Sequence, residues 1–123
     1  MRKPSLKGLR AKCDKAFSIA VFRFWGDKCT ICGKEATATH HFMPKSISAY
    51  LRYEVKNGVP LCYVCHIVRI HSQGDPRALE AIIKARGQKW YNELKALKVI
   101  GESKGGYLGV KYYKDKLEEL YGI

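Results

Sequence analysis

Two Cys-x2-Cys pairs, Cys29 with Cys32 and Cys62 with Cys65, stand 29 residues apart. Within each pair the short spacing bends the backbone so that both sulfurs can face one ion, and four thiolates suit the tetrahedral preference of Zn²⁺. Bound in that way, the pairs would pin both ends of the segment between them and hold whatever it carries in a small stapled unit. The interval exceeds the usual zinc-ribbon spacing and leaves room for a β-hairpin with its loop. Two other uses of the pairs stay open: a redox-active dithiol, whose usual βαβ context is absent, or buried free thiols. The fifth cysteine, Cys13, falls on the apolar face of a helical pattern and reads as a core residue.

The 123 residues make one domain, with a modest core that a structural metal would supplement. Lys and Arg number 23 against 11 acidic residues, a formal charge of +12. Such an excess points to a polyanionic partner. Nucleic acid comes first, because Lys and Arg that neutralise phosphates release condensed counterions; an anionic membrane surface comes second. No stretch approaches the length of a transmembrane helix, and the N-terminus lacks the apolar core of a signal peptide. The expectation is therefore a soluble, cytoplasmic protein. Thiols stay reduced there, which favours metal ligation over disulfides for the paired cysteines.

Residues 6–25 place Leu9, Cys13, Ala16, Phe17, Ala20, Val21 and Phe24 at helical spacing, with Arg10, Lys12, Asp14, Lys15 and Arg23 between them. This predicts an amphipathic helix, ended by Gly26 and Asp27. Residues 1–28 hold eight basic and two acidic residues, a net of +6, half of the chain's total. That surface is either a solvated face or a clamp on phosphates. Residues 36–42 and 59–61 favour extended strands, with Asn57-Gly58 as a turn signal between the arms. Residues 65–70 have helical character, and Asp75-Pro76 starts a further helix. Leu79, Ile82, Ile83, Trp90, Leu94 and Leu97 form an apolar stripe, broken at Gly87. A glycine-rich connection (Gly101, Gly105, Gly106, Gly109) leads to a last short helix, roughly residues 112–120. There is no internal repeat and no low-complexity tail.

The segment His40-His41-Phe42-Met43-Pro44-Lys45-Ser46, followed by Asn57 and by Cys62-Tyr63-Val64-Cys65-His66, resembles the HNH, or ββα-metal, nuclease superfamily over residues 29–71. More narrowly, Leu51-Arg52-Tyr53 through Asn57-Gly58-Val59-Pro60-Leu61-Cys62, preceded by a basic helix carrying Asp14-Lys15-Ala16-Phe17-Ser18, looks like the Rap/NinG group of phage recombination nucleases. The resemblance implies an α+β fold, a zinc-stabilised ββα-metal core at 29–74 between a basic N-terminal helix (1–28) and C-terminal helices (75–123). It implies His41 as general base, with His40 and His66 holding a catalytic metal and Cys29, Cys32, Cys62 and Cys65 holding a structural zinc. Such chemistry needs these residue types: an imidazole can take a proton from water near neutral pH, and a cation stabilises charge on the phosphate and the leaving oxygen.

Several residues admit two readings. Adjacent residues of a strand point to opposite faces, so either His40 or His41 could instead be a buried, hydrogen-bonded histidine. Asn57 either orients the His41 loop, as the family implies, or supplies the left-handed backbone of an Asn-Gly turn. His71 lies about 140° from His66 around a regular α-helix, so both can reach one ion only if the helix ends, tightens or bulges there. Histidine-rich relatives have a second metal histidine at about that distance, which makes His71 a third ligand by resemblance; otherwise it is a histidine at a helix C-terminus. Many superfamily members have Asp at the position of His40. Imidazoles favour Mn²⁺, Co²⁺, Ni²⁺ or Zn²⁺, while Mg²⁺ could still serve through waters and the phosphate.

The resulting expectation is a metal-dependent DNA endonuclease acting on branched or recombination-intermediate DNA, with two protomers pairing as a homodimer for symmetric cuts. Lys45, Arg52 and Arg69 are the expected phosphate contacts. The rivals are an HNH nuclease of ordinary duplex DNA and a non-catalytic zinc module that binds nucleic acid.

Overall fold

The computed structural model describes residues 5–103 and 108–123. Ser5 opens helix α1 (Leu6–Trp25) by accepting a hydrogen bond from the Gly8 amide at 3.0 Å, which satisfies one of the free donors of the first turn. Gly26, at φ 94°, closes the helix. Leu9, Cys13, Ala16, Phe17, Ala20 and Val21 are buried as their spacing predicts, but Phe24 is 53% exposed. Trp25 takes the inward place instead, because its indole N–H donates to the Val55 carbonyl at 2.8 Å.

Strands β1 (Ala38–His41) and β2 (Gly58–Leu61) pair antiparallel, with Ala38 opposite Leu61 and His41 opposite Gly58. The predicted Asn57-Gly58 turn is absent. No non-glycine among the described residues has positive φ, and Gly58 sits at φ −86° inside the sheet. The strands are joined instead by residues 42–57, which end in a 3-10 turn (Val55–Asn57). Gly58 answers a packing need: a Cβ there would fall inside van der Waals distance of Val21 Cγ2 and 3.0 Å from Phe17 Cζ. Gly58→Ala should therefore push α1 off the sheet and cost about 1–3 kcal/mol, the usual range for overpacking. Urea denaturation would measure it, and an unchanged midpoint would contradict the tight packing of β2 on α1.

Within the second cysteine pair the chain enters a π-helix (Val64–Ser72), whose first turn contains Cys65, then α2 (Pro76–Arg86), capped by the Asp75 carboxylate on the Arg77 amide at 3.0 Å. Gly87, at φ 96°, breaks it from α3 (Gln88–Ser103). Of the predicted stripe, Ile82, Trp90 and Leu94 are buried, while Leu79 is 38% exposed and faces a groove. Gly101 lies within α3 and not in a connection, since its missing side chain makes room for the Tyr50 ring. Gly105 and Gly106, like Arg2 and Lys3 of the basic N-terminus, lie outside the described residues. Helix α4 (Val110–Tyr121) lies against α1, burying Tyr113 and Leu120 with Leu9, Cys13 and Tyr53. No helix among the described residues is long and apolar enough to cross a membrane.

A second apolar cluster unites Leu51, Val59, Leu61, Ile82, Trp90 and Leu94 with Cys29, Cys62 and Cys65. Between the two clusters the 3-10 turn is clamped from both sides. Trp25 holds the Val55 carbonyl, and the Trp90 indole donates to the Lys56 carbonyl at 2.8 Å. The Arg86 guanidinium lies 3.6 Å from the Trp25 ring centroid and 5.1 Å from that of Trp90, a cation–π contact with both. The clamp fixes Asn57, the last residue of that turn.

Candidate functional site

The first cysteine pair is shaped by a turn in which the Cys29 amide donates to the Lys34 carbonyl (2.6 Å) and the Gly33 amide to the Cys29 carbonyl (2.9 Å). Gly33, at φ 78°, supplies the left-handed residue that this bend requires. Thr30 ties the turn to β2, its amide and its hydroxyl both donating to the Pro60 carbonyl at 3.0 and 3.1 Å. The second pair follows β2 directly, so the sheet itself carries the two pairs together. All four sulfurs lie within 4.8 Å of one another, and Cys32 Sγ is 3.6 Å from Cys62 Sγ. Ligands of a tetrahedral zinc with Zn–S bonds of about 2.3 Å sit about 3.8 Å apart. The four cysteines could therefore hold a structural zinc. Burial opposes the Cys29 thiolate, but the backbone amides around it prevail and bring its pKa down to about 7. Burial pushes Cys65 up to about 12, so a cation would be needed to keep all four sulfurs as thiolates.

The two adjacent histidines diverge across the sheet, as strand geometry demands. His40 is buried and faces the π-helix, its ring centroid 5.2 Å from His66 and 5.7 Å from His71. In an α-helix His66 and His71 would point about 140° apart. The π repeat, visible in the Gln73 amide donating to the Val68 carbonyl at 3.0 Å, brings residues five apart onto one face. The two Nε2 atoms come to 3.0 Å, and the ligand atoms of His40, His66 and His71 all lie within 4.8 Å of one another. Neighbouring ligands of one ion with metal–nitrogen bonds of about 2.0–2.1 Å are about 3.0–3.4 Å apart, so this trio also fits a divalent cation. Burial, reinforced by repulsion from His66 and His71, lowers the His40 pKa to about 3; burial likewise lowers His66. Both imidazoles are neutral near pH 7, the form a metal takes.

His41 lies on the other face, stacked on Phe17 at 4.9 Å between centroids with the rings 15° apart. Its Nε2 is 2.8 Å from the Arg52 carbonyl oxygen. A carbonyl can only accept, so Nε2 carries the hydrogen and Nδ1 keeps its lone pair. Burial holds the His41 pKa below the usual histidine range, partly offset by the bond to Arg52. His41 can thus accept a proton at Nδ1 near neutral pH.

Asn57 is wholly buried and holds the loop that joins β1 to β2. Its Oδ1 accepts from the Met43 amide (2.8 Å), and its Nδ2 donates to the carbonyls of Met43 (3.0 Å) and Leu51 (3.1 Å). One side chain therefore joins both ends of the loop, and its Leu51 bond sets the carbonyl of the next residue, Arg52, where His41 meets it.

All four histidines of the chain line one cleft of about 370 Å³, together with Thr39, Pro44 and Lys45. Thr39 was not singled out by the sequence. Its hydroxyl is buried and has no hydrogen-bond partner among the described residues. Its signal is only positional, two residues before His41 on the same face of the strand. The three expected phosphate contacts fare differently: Lys45 is exposed on the cleft wall, Arg52 is held by both Asp14 oxygens at 3.1 Å, and Arg69 pairs with Asp75 at 3.5 Å. Phe17 and the Arg52 carbonyl, which seat His41, were not legible as site elements. A backbone carbonyl has no residue-type signal at all.

No family model, curated protein or solved structure matches the chain.

Proposed function

We propose that this protein is a metal-dependent DNA endonuclease of the HNH type, in which β1, β2 and the π-helix form the ββα-metal core. The observation that carries the reading is His41: an imidazole with its tautomer set by the Arg52 carbonyl and its Nδ1 free, in the same cleft as a separate three-histidine cluster. A purely binding or purely structural zinc module needs neither. In this reading His41 Nδ1 takes the proton of the attacking water, and Phe17 and the Arg52 carbonyl keep the ring from turning away. His40, His66 and His71 would hold the divalent cation, whose role when bound is to stabilise charge on the scissile phosphate and the leaving oxygen. Lys45 contacts phosphate oxygens, while Asn57 positions the loop whose Arg52 carbonyl holds the His41 ring. The four-cysteine zinc does no chemistry; it anchors the sheet to the π-helix. Arg52 and Arg69 would join the phosphate track by giving up Asp14 and Asp75.

The formal charge of +12 suits a DNA substrate, and the likeness of the chain's motifs to recombination nucleases favours branched DNA cut by a pair of protomers in the cytoplasm of a host cell. The test is cleavage of supercoiled plasmid, four-way junction and linear duplex with Mg²⁺, Mn²⁺, Co²⁺, Ni²⁺ or Zn²⁺ in turn. Cleavage with at least one ion, strongest on the junction, is the expected result. Equal cutting of junction and duplex would leave an ordinary duplex nuclease, and no cutting by zinc-loaded, DNA-binding protein would leave a binding module. His71→Ala should weaken Co²⁺ binding, read from the visible spectrum, by about tenfold or more while the cysteine-bound zinc stays in place. Loss of that zinc instead would mean that the two sites are not separate.

A further inference from the structure

A larger cavity of about 650 Å³ adjoins the cleft and shares His40 and His71 with it. Its lining is mostly apolar, with Phe42, Ile47, Leu79 and Tyr91, and it also includes Lys95 and Lys98. Two of those apolar side chains stand in solvent, Ile47 at 61% and Leu79 at 38% exposure. The Tyr91 ring is propped edge-on by Phe42 at 5.8 Å between centroids, and Lys95 Nζ lies 4.5 Å from the Tyr91 centroid. An occupant that fits is flat and apolar where it meets Tyr91, anionic where it meets Lys95, and continuous with a phosphate at the histidine cluster. A nucleotide has that layout, and the excess positive charge of the chain complements it.

Resting on the nuclease reading above, we infer that this groove receives an unpaired nucleotide of the DNA strand, next to the phosphate held at His40, His66 and His71. The base stacks against Tyr91, beside Ile47, and Lys95 exchanges the ring face for the nucleotide's phosphate. A fully paired base cannot enter such a groove without leaving its stack, so the substrate class narrows to DNA with an unpaired or readily extruded nucleotide beside the cut. Branch points and flaps carry such nucleotides.

The test is binding, without added divalent ion, of three synthetic duplexes: one with a single extrahelical 2-aminopurine, one with an abasic residue at that place, and one fully paired. Stacking of one base on an aromatic ring should make the first bind about 5- to 100-fold more tightly than the second, with quenched 2-aminopurine fluorescence. Tyr91→Leu should remove that preference and leave affinity for the paired duplex unchanged. Ile47→Glu alters a side chain already in solvent, so it should fold normally and also abolish the preference. Equal affinity of the native protein for the base and its abasic counterpart would overturn the inference and leave the groove to a protein or small-molecule ligand. Discrimination of the base without DNA cleavage by any divalent ion would uphold the groove and sink the nuclease reading; cleavage without discrimination would do the reverse.

Discussion

His41→Ala should lower the rate of DNA cleavage by about 10²-fold or more, the usual loss when a positioned general base is removed. The fold should survive, because the ring is only half-buried and the Phe17 beneath it belongs to the core between α1 and α4 whether or not His41 is stacked on it. DNA affinity should survive as well, since the basic side chains remain. Single-turnover cleavage at saturating enzyme, beside binding and melting measurements on the same variant, separates these effects. A variant that cuts at a near-native rate would remove His41 from the role of base. A variant that stops binding DNA would mean that His41 serves the interface and not the proton.

Cys62→Ser should release the zinc and unfold the segment between the cysteine pairs. Structural zinc in small modules supplies about 10–16 kcal/mol of apparent binding free energy, comparable to or larger than the roughly 5–15 kcal/mol by which a whole domain is stable. The polar ties between the two knuckles, from Thr30 to the Pro60 carbonyl and from the Thr37 amide to Leu61, add about 1 kcal/mol each and cannot replace it. Zinc content by mass spectrometry under native conditions should be about one per native chain and zero in the variant. Loss of amide-exchange protection should extend over β1, β2 and the π-helix, where the histidines sit, while α1 and α4 keep theirs longer through their separate core. A zinc-free variant that stays folded across the whole chain would take the structural role away from the cysteines.

What the sequence determined by itself is local. The cysteine spacing alone could propose one ion for four sulfurs, because two-residue knuckles leave few other geometries. Gly26, Asp75 and Gly87 marked helix ends through capping chemistry that depends on immediate neighbours. The apolar period of residues 6–25 identified the buried face of α1, apart from its last turn, where the indole N–H of Trp25 found a partner that Phe24 could not have used. Strand alternation also predicted that His40 and His41 part company. Tertiary structure decided the rest. Asn57-Gly58 has the residue pair of a tight turn, yet α1 presses so closely on β2 that only glycine fits there, and Asn57 bridges the two ends of a long loop instead. His66 and His71 converge only because the helix that begins at Val64 widens to a π repeat, a change of winding with no residue-type code. The partner of His41 is a backbone carbonyl, identical in every residue, so its place in space and not its identity aims the ring.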